Sequence, residues 1–327
     1  MPRVYITLPP EDTNYLPEDR KRIEDFAEVI QHPGPGMPTD KQKLERIKDV
    51  DAVVLGRGGG WLTDEMIESA TNLRGIGVIG GSVNKMNAEL ILKKGIILCN
   101  TGWAMSNAVA EFSLAMMLCG LRDIPYMIDI MRSDGWGRGR SPYDLTDKAV
   151  GLVGFGMIGR RVAELLGPFR ARVRVFDPFV EDAVIEAAGA TRCGLRELLS
   201  TSKVISLHLG LTDETRGLIG ADELALIPDG GLLVNTARAA VVDEDALVAE
   251  LQRGRIRAAL NVYWKEPLAE LHPLRSMPNV ILTPHAGGLT LDTQRRHSQS
   301  ITDDLERFFA GDRPMGAVTS EMLARMT

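Results

Sequence analysis

The sequence predicts an α/β protein made of two doubly wound parallel-sheet domains, and three observations carry that prediction. Short apolar runs of strand type alternate with segments of helical spacing along nearly the whole chain, the pattern of consecutive βαβ units. The stretch VGLVGFGMIGRRVAELLGPFRARVRVFD, at 150–177, sets a GxGxxG turn between an apolar run and an amphipathic segment. A length of 327 residues, 44% of them apolar, is enough for two cores on a prior of about 150 residues per domain.

In the first domain, strands are expected at 4–8, 52–55, 75–79 and 96–99, with helices near 17–31, 63–70 and 84–93. Their alternation implies a small parallel sheet of βαβ units, and the fold expected of this domain is flavodoxin-like. Thr63 is a natural N-cap, and Asp64 and Glu65 follow in the first turn, where a helix dipole favours acids. Residues 105–121 form a long apolar helix, too short and too interrupted by Glu111 to span a bilayer. DGWGRGRSPYDLTDK, at 134–148, has the composition of an extended surface loop.

The second domain is expected to open with a strand at 149–153, a helix at 160–166 and a strand at 173–176. Strands at 203–207, 231–235, 257–262 and 279–282 follow, with helices near 195–200, 221–226 and 243–253. A last helix at 290–309 lies beyond the final strand and needs the first domain to pack on. The expected division is therefore 1–101 with 288–327 as the substrate domain and 102–287 as the dinucleotide-binding domain.

Within the GxGxxG turn each glycine has a mechanical task. Gly154 permits the tight turn, Gly156 lets a pyrophosphate approach the backbone, and Gly159 lets helix and strand pack closely. Asp177 closes the next strand, eighteen positions beyond Gly159. A carboxylate there accepts hydrogen bonds from ribose hydroxyls and repels the extra phosphate of NADP, so NAD is the expected cofactor of a Rossmann-like domain. Arg172 and Arg174 work against that preference.

Bulk properties exclude several classes. A net charge of −6 with no basic stripe argues against nucleic-acid and anionic-membrane partners. The most basic segment, 132–140, is broken by glycines and Asp134. The opening MPRVYITLPPED has no signal-peptide pattern, so a soluble cytoplasmic protein is expected. Cys99, Cys119 and Cys193 are far apart and read as reduced thiols, and the histidines show no metal-ligand spacing.

Three stretches carry the chemistry: LLVNTARAAVVDEDAL (232–247), RAALNVYWKEPL (257–268) and NVILTPHAGGLT (279–290). Each places a polar residue just after an apolar strand. Ligands of open α/β sheets bind outside the carboxyl ends of the strands, so Arg238, Glu266 and His285 are expected to project toward the cleft marked by the glycine turn.

With those stretches in order, and with NTGWAMSNAVAEFSLAMML at 100–118 and SLHLGLTDETRGLI at 206–219, the chain resembles the NAD-dependent D-isomer-specific 2-hydroxyacid dehydrogenase family over nearly its whole length. The resemblance implies that Arg238 binds the carboxylate and carbonyl of a 2-keto acid. A planar guanidinium with paired donors suits that task. It implies that His285 is the general acid/base and that Glu266 orients the imidazole and favours its charged form. Gly80 and Gly81, in the GVIGG stretch, match a loop that offers amide donors to the substrate carboxylate.

On the cofactor side, the resemblance places Met157 and Ile158 at the pyrophosphate, Asp177 at the ribose, and His208 with Leu209 near the adenosine half. Thr236, Ala237, Arg238, Asn261, His285 and Gly288 fall toward the nicotinamide. No metal is implied, and the expected partners are a small 2-hydroxy or 2-keto acid and a second copy of the chain, with 103–147 crossing to the partner. The chain departs from the family pattern at Asn261, where aspartate is usual, at Ala239, where glycine is usual, and at Gly210, where proline is usual.

Trp61 and Arg57, in LGRGGGWLT, follow a first-domain strand where substrate-selecting groups of the family occur, and Trp103 and Trp136 are further pocket candidates. His32 and His297 read as surface residues and His272 as part of a turn. Two other readings stay open: an NAD(H)-sensing, corepressor-like protein of the same fold, and an amino acid dehydrogenase. The latter expects a lysine in the cleft motifs, where only Lys265 is found.

Overall fold

Both sheets are parallel throughout, and each keeps the alternation of the sequence. The computed structural model describes residues 1–56, 60–133, 135–137 and 142–323. Arg57 and positions 134 and 138–141 of the expected surface loop lie outside the described residues. The chain divides into two compact units, Met1–Met105 with Leu289–Thr327, and Ser106–Gly288.

In the first unit the strands are β1 (Arg3–Ile6), β2 (Glu28–Gln31), β3 (Ala52–Leu55), β4 (Gly75–Val78) and β5 (Ile97–Asn100). Their spatial order, β2-β1-β3-β4-β5, is that of flavodoxin-like sheets. β3 and β4 are buried along their whole length, as a strand covered on both faces must be. The expected helix at 17–31 is instead a helix, Pro17–Ile23, and the edge strand β2. Only partly buried and paired on one side, EVIQ lacks the apolar run that marks the other strands. A further helix, Asp40–Ile47, was not expected, although Thr39 and Gln42 form a reciprocal capping box at its start. Thr63 does cap its helix, accepting from Met66 N–H.

The second unit contains β6 (Ala149–Val153), β7 (Arg172–Phe176), β8 (Thr191–Arg192), β9 (Val204–Leu207), β10 (Leu232–Asn235), β11 (Arg257–Leu260) and β12 (Val280–Leu282). Their order, β12-β11-β10-β9-β6-β7-β8, reverses direction between β6 and β9. Such a switch point opens a crevice at the strands' carboxyl ends.

The run Gly102–Arg122 is 21 residues long and apolar enough to cross a bilayer by length and composition, longer than the sequence reading allowed. Half of it is buried inside the protein, and Met116, Met117 and Leu121 join the core with Leu152 and Leu232, so it is a core helix. A second helix, Ile124–Arg132, follows where no element was expected.

Two histidine expectations are corrected. His32 and His297 are buried, at 6% and 8% exposure, not on the surface. His297 is held inside by its hydroxyl partner Thr101, with Nδ1 and Oγ1 2.6 Å apart. His272 sits in a turn, as expected, and bonds Glu244. All three cysteines are free. Burial raises each thiol pKa, that of Cys99 to about 12, so none is an activated nucleophile.

Candidate active site

The glycine turn lies at the end of β6, on one side of the switch point. Gly154 has φ +94°, and a Cβ there would lie 2.7 Å from the His208 carbonyl carbon, so only glycine fits where this turn backs onto the end of β9. A Cβ on Gly159 would lie 2.4 Å from the Gly154 carbonyl oxygen, whereas one on Gly156 would meet nothing within 4 Å. The turn is thus packed tight on its inner side and open at Gly156. Gly156 is also the N-cap of the Met157–Leu166 helix and carries no capping side chain, so the first amides of that helix are available to an anion. An open cradle at a helix N-terminus fits the pyrophosphate of a dinucleotide.

Asp177 closes β7 and braces this turn. One carboxylate oxygen accepts Phe155 N–H at 2.7 Å, and the other accepts Phe179 N–H at 2.9 Å and Val180 N–H at 3.2 Å. A carboxylate has about four acceptor sites, so one remains for a ribose hydroxyl. Of the two neighbouring arginines, Arg174 pairs with Glu197 at 3.3 Å. A third cation, Arg192, was missed in the sequence. Its guanidinium bonds the carbonyls of Asp177 and Val180 and the Asp182 carboxylate, which fixes the loop after β7.

His208 and Leu209 follow β9 beneath the glycine turn. Both His208 ring nitrogens are buried with no hydrogen-bond partner among the described residues, and burial lowers the imidazole pKa to about 3. This ring is neutral at ordinary pH.

Arg238, Glu266 and His285 follow β10, β11 and β12, three adjacent strands. The Arg238 turn is shaped by Asn235, whose Oδ1 accepts Ala237 N–H and whose Nδ2 donates to Arg238 O, both at 3.0 Å. Arg238 Nη1 donates to Ala237 O at 2.8 Å. Thr236 Oγ1 lies 2.7 Å from Ser113 Oγ, which donates to Val109 O. The hydroxyl of Ser113 has one proton, so Thr236 is the donor of that pair.

His285 Nδ1 lies 2.8 and 2.9 Å from the two Glu266 carboxylate oxygens. A carboxylate only accepts, so Nδ1 carries a proton and Nε2 is left as the exchangeable nitrogen. His285 has φ +48°, a left-handed conformation that costs a non-glycine residue free energy and here turns the ring back toward Glu266.

Asn261 explains how this unusual backbone is held. Its Oδ1 accepts Ala286 N–H at 2.8 Å and Thr283 Oγ1 at 3.1 Å, which ties the end of β11 to the residues flanking His285. An amide supplies that acceptor as an aspartate would, and adds a donor at Nδ2. Gly287, beside Gly288, is closely packed: a Cβ would lie 3.1 Å from Asn261 Nδ2 and 3.3 Å from Phe112, so a side chain there would displace one of them by a few tenths of an ångström. Three anchors escaped the sequence reading. Tyr263 OH donates to Thr283 O at 2.9 Å, Tyr263 N–H donates to Glu266 at 3.1 Å, and Trp264 Nε1 donates to Val242 O at 2.9 Å. Trp264 thereby ties the Glu266 loop to the segment after Arg238.

Gly80 and Gly81 belong to the other unit, at the carboxyl end of β4. Gly80 has φ +134°. Its N–H donates to Thr101 Oγ1 at 2.9 Å and so is already used within the unit.

Residues 114–287 match the family described as D-isomer specific 2-hydroxyacid dehydrogenase, NAD binding domain. The chain belongs to that family. It is 32% identical to a glyoxylate reductase of Aeropyrum pernix, a match over 98% of this chain and 97% of the relative. It is 34% identical to a D-3-phosphoglycerate dehydrogenase of Methanocaldococcus jannaschii over 92% of this chain, but it spans only 57% of that protein's length.

Among solved structures, a glyoxylate reductase from Paecilomyes thermophila superposes with a TM-score of 0.84 at 26% identity, over 98% of this chain and 99% of the other. Apo D-mandelate dehydrogenase from Rhodotorula graminis gives 0.88 at 23% identity over 98% of both, a likeness of fold. The NAD-binding domain of this dehydrogenase family is therefore the Ser106–Gly288 unit, and NAD is its cofactor.

Proposed function

We propose that the protein reduces a 2-keto acid to a D-2-hydroxy acid, with His285 as general acid, Glu266 as its orienting partner and Arg238 as the clamp on the carboxylate and carbonyl. The observation that carries this reading is the pairing of His285 Nδ1 with the Glu266 carboxylate at 2.8 Å, at the strand ends of an NAD-binding sheet. NADH, when bound, supplies the hydride.

Glu266 holds the ring by Nδ1, so His285 hands a proton from Nε2 to the carbonyl oxygen as its carbon is reduced. In the reverse direction Nε2 takes the hydroxyl proton. Arg238 offers paired donors to the carboxylate and carbonyl. Gly156, Met157, Ile158 and the Asp177 carboxylate would hold the dinucleotide at its pyrophosphate and ribose, with His208 and Leu209 under the turn. Thr236, Ala237, Asn261 and Gly288 would lie toward the nicotinamide.

In this reading the backbone amides around Gly80 and Gly81 would bind a carboxylate, and the working form is a homodimer. The named activities of the relatives put glyoxylate and a 3-phosphorylated hydroxy acid at the head of the substrates to try.

The test is loss of NADH absorbance with a panel of 2-keto acids, for wild type and His285→Ala. Removing a general acid costs about 10²–10⁴-fold in rate, so turnover by wild type should fall by that much. NADH binding without turnover of any panel member would replace the reductase reading with that of an NAD(H)-sensing protein.

A further inference from the structure

The turn after β4 is braced from inside the first unit by a histidine that the reaction does not otherwise use. β4 reads GIGV, and its glycines decide what packs on it. A Cβ on Gly77 would lie 2.6 Å from Ile301 Cδ1, and one on Gly75 would lie 3.0 Å from the Phe308 ring. The missing side chains let the Leu291–Ala310 helix lie directly on the strand.

His297 is one helical turn before Ile301, on the same face, and so comes to the carboxyl end of β4. There its Nδ1 meets Thr101 Oγ1 at 2.6 Å, with Thr101 fully buried. Thr101 grips Gly80 twice: Oγ1 accepts the Gly80 N–H at 2.9 Å, and the Thr101 N–H donates to Gly80 O at 3.0 Å. Asn100 Nδ2 adds a bond to Gly81 O at 3.2 Å.

Proton accounting orders this chain. The Thr101 hydroxyl accepts from Gly80 and has one proton to give; among the described residues, its only acceptor is His297 Nδ1. His297 is thereby an acceptor at Nδ1. With the Gly80 amide turned inward, the turn still holds the Gly81 and Ser82 N–H groups, which donate to nothing among the described residues.

We propose that His297, acting through Thr101, is a positioning residue for substrate: it locks the Gly80 amide inward and so sets Gly81 and Ser82 as the amide donors to the carboxylate of a 2-keto acid. The proposal rests on the functional reading given above. His297 touches neither substrate nor cofactor in this role. Its signature is a change in substrate affinity that leaves cofactor affinity alone.

The experiment compares Thr101→Val and His297→Leu, which remove the hydroxyl and the acceptor, with Thr101→Ser and His297→Asn, which retain a hydroxyl and an acceptor near Nδ1. Steady-state KM for the best 2-keto acid, NADH affinity by fluorescence and thermal midpoint are measured on each. Thr101→Val and His297→Leu should raise KM about tenfold with unchanged NADH affinity, and the conservative pair should recover most of that loss. Thr101→Val decides the matter where His297→Leu does not fold.

An active wild type whose Thr101→Val variant keeps the wild-type KM, or loses NADH affinity in proportion, overturns the positioning role alone. A wild type that turns over no 2-keto acid overturns both the role and the functional reading beneath it.

Discussion

A single side chain can make the whole molecule sensitive to acid, and His208 is placed to do so. Burial lowers its pKa from 6.5 to about 3, because the ring lies under the glycine turn with neither nitrogen paired among the described residues. The sign follows from linkage. The unfolded chain takes up a proton on this ring below about pH 6.5, and the folded chain does so only near pH 3, so the unfolded state binds more protons in between. Stability contributed by the neutral ring is complete above pH 6.5 and is lost progressively as pH falls toward 3. Unfolding free energies from denaturant titrations at pH 7 and pH 4.5 should differ by on the order of 2 kcal/mol more in wild type than in His208→Gln. Equal acid sensitivity of the two proteins would remove the assignment. In the sequence, His208 is placed near the adenosine half only by the family resemblance, and its lack of partners among the described residues could not be read there at all, because pairing depends on chain segments remote from it.

At the scale of elements, the contact between β4 and the Leu291–Ala310 helix is where sequence and packing meet most directly. A valine at Gly77 would press on Ile301, whose Cδ1 lies 2.6 Å from the Cβ position, and such overpacking costs about 1–3 kcal/mol. Ile301→Ala opens a cavity and costs about 2–5 kcal/mol on its own. Because the new methyls would fill that cavity, the double variant should be more stable than the sum of the two losses predicts, by about 1 kcal/mol in a chemical-denaturation cycle. Strict additivity would mean that the helix shifts away from the strand instead.

The same element shows what the sequence could express. The central strands and the 290–309 helix are apolar enough, or periodic enough, to be read at once. The edge strand Glu28–Gln31 is not, since its two apolar residues, Val29 and Ile30, are bounded by polar ones and only partly buried. The site divides in the same way: Arg238, Glu266 and His285 stand at strand ends within recognisable motifs, whereas Tyr263 and Trp264 act through bonds to the turns after neighbouring strands. Local spacing cannot encode those partners. His297 was misread because one polar residue on an amphipathic helix looks solvent-facing until Thr101 is brought beneath it.

For the molecule as a whole, the helix Ile124–Arg132 is the element that a monomer leaves unexplained. None of its residues is buried, yet its sequence is IPYMIDIMR. Ile128 and Met131 are 42% and 54% exposed, and Trp136, just beyond, is 90% exposed. The backbone beside the tryptophan turns back on the helix: Gly135 N–H donates to Ile130 O at 3.0 Å, and a Cβ on Gly137 would lie 2.7 Å from Ile130 Cδ1. An exposed apolar face of this kind costs solvation free energy unless something covers it. In a two-fold dimer the same patch covers itself, so one helix supplies both sides of an isologous interface. The double substitution Ile128→Glu with Met131→Glu should therefore convert a dimer to a monomer in sedimentation velocity. Coupling to assembly also predicts a wild-type thermal midpoint that rises with protein concentration and a variant midpoint that does not. A wild type that sediments as a monomer at every concentration would assign this face to another partner. A variant that stays dimeric would move the interface elsewhere on the chain.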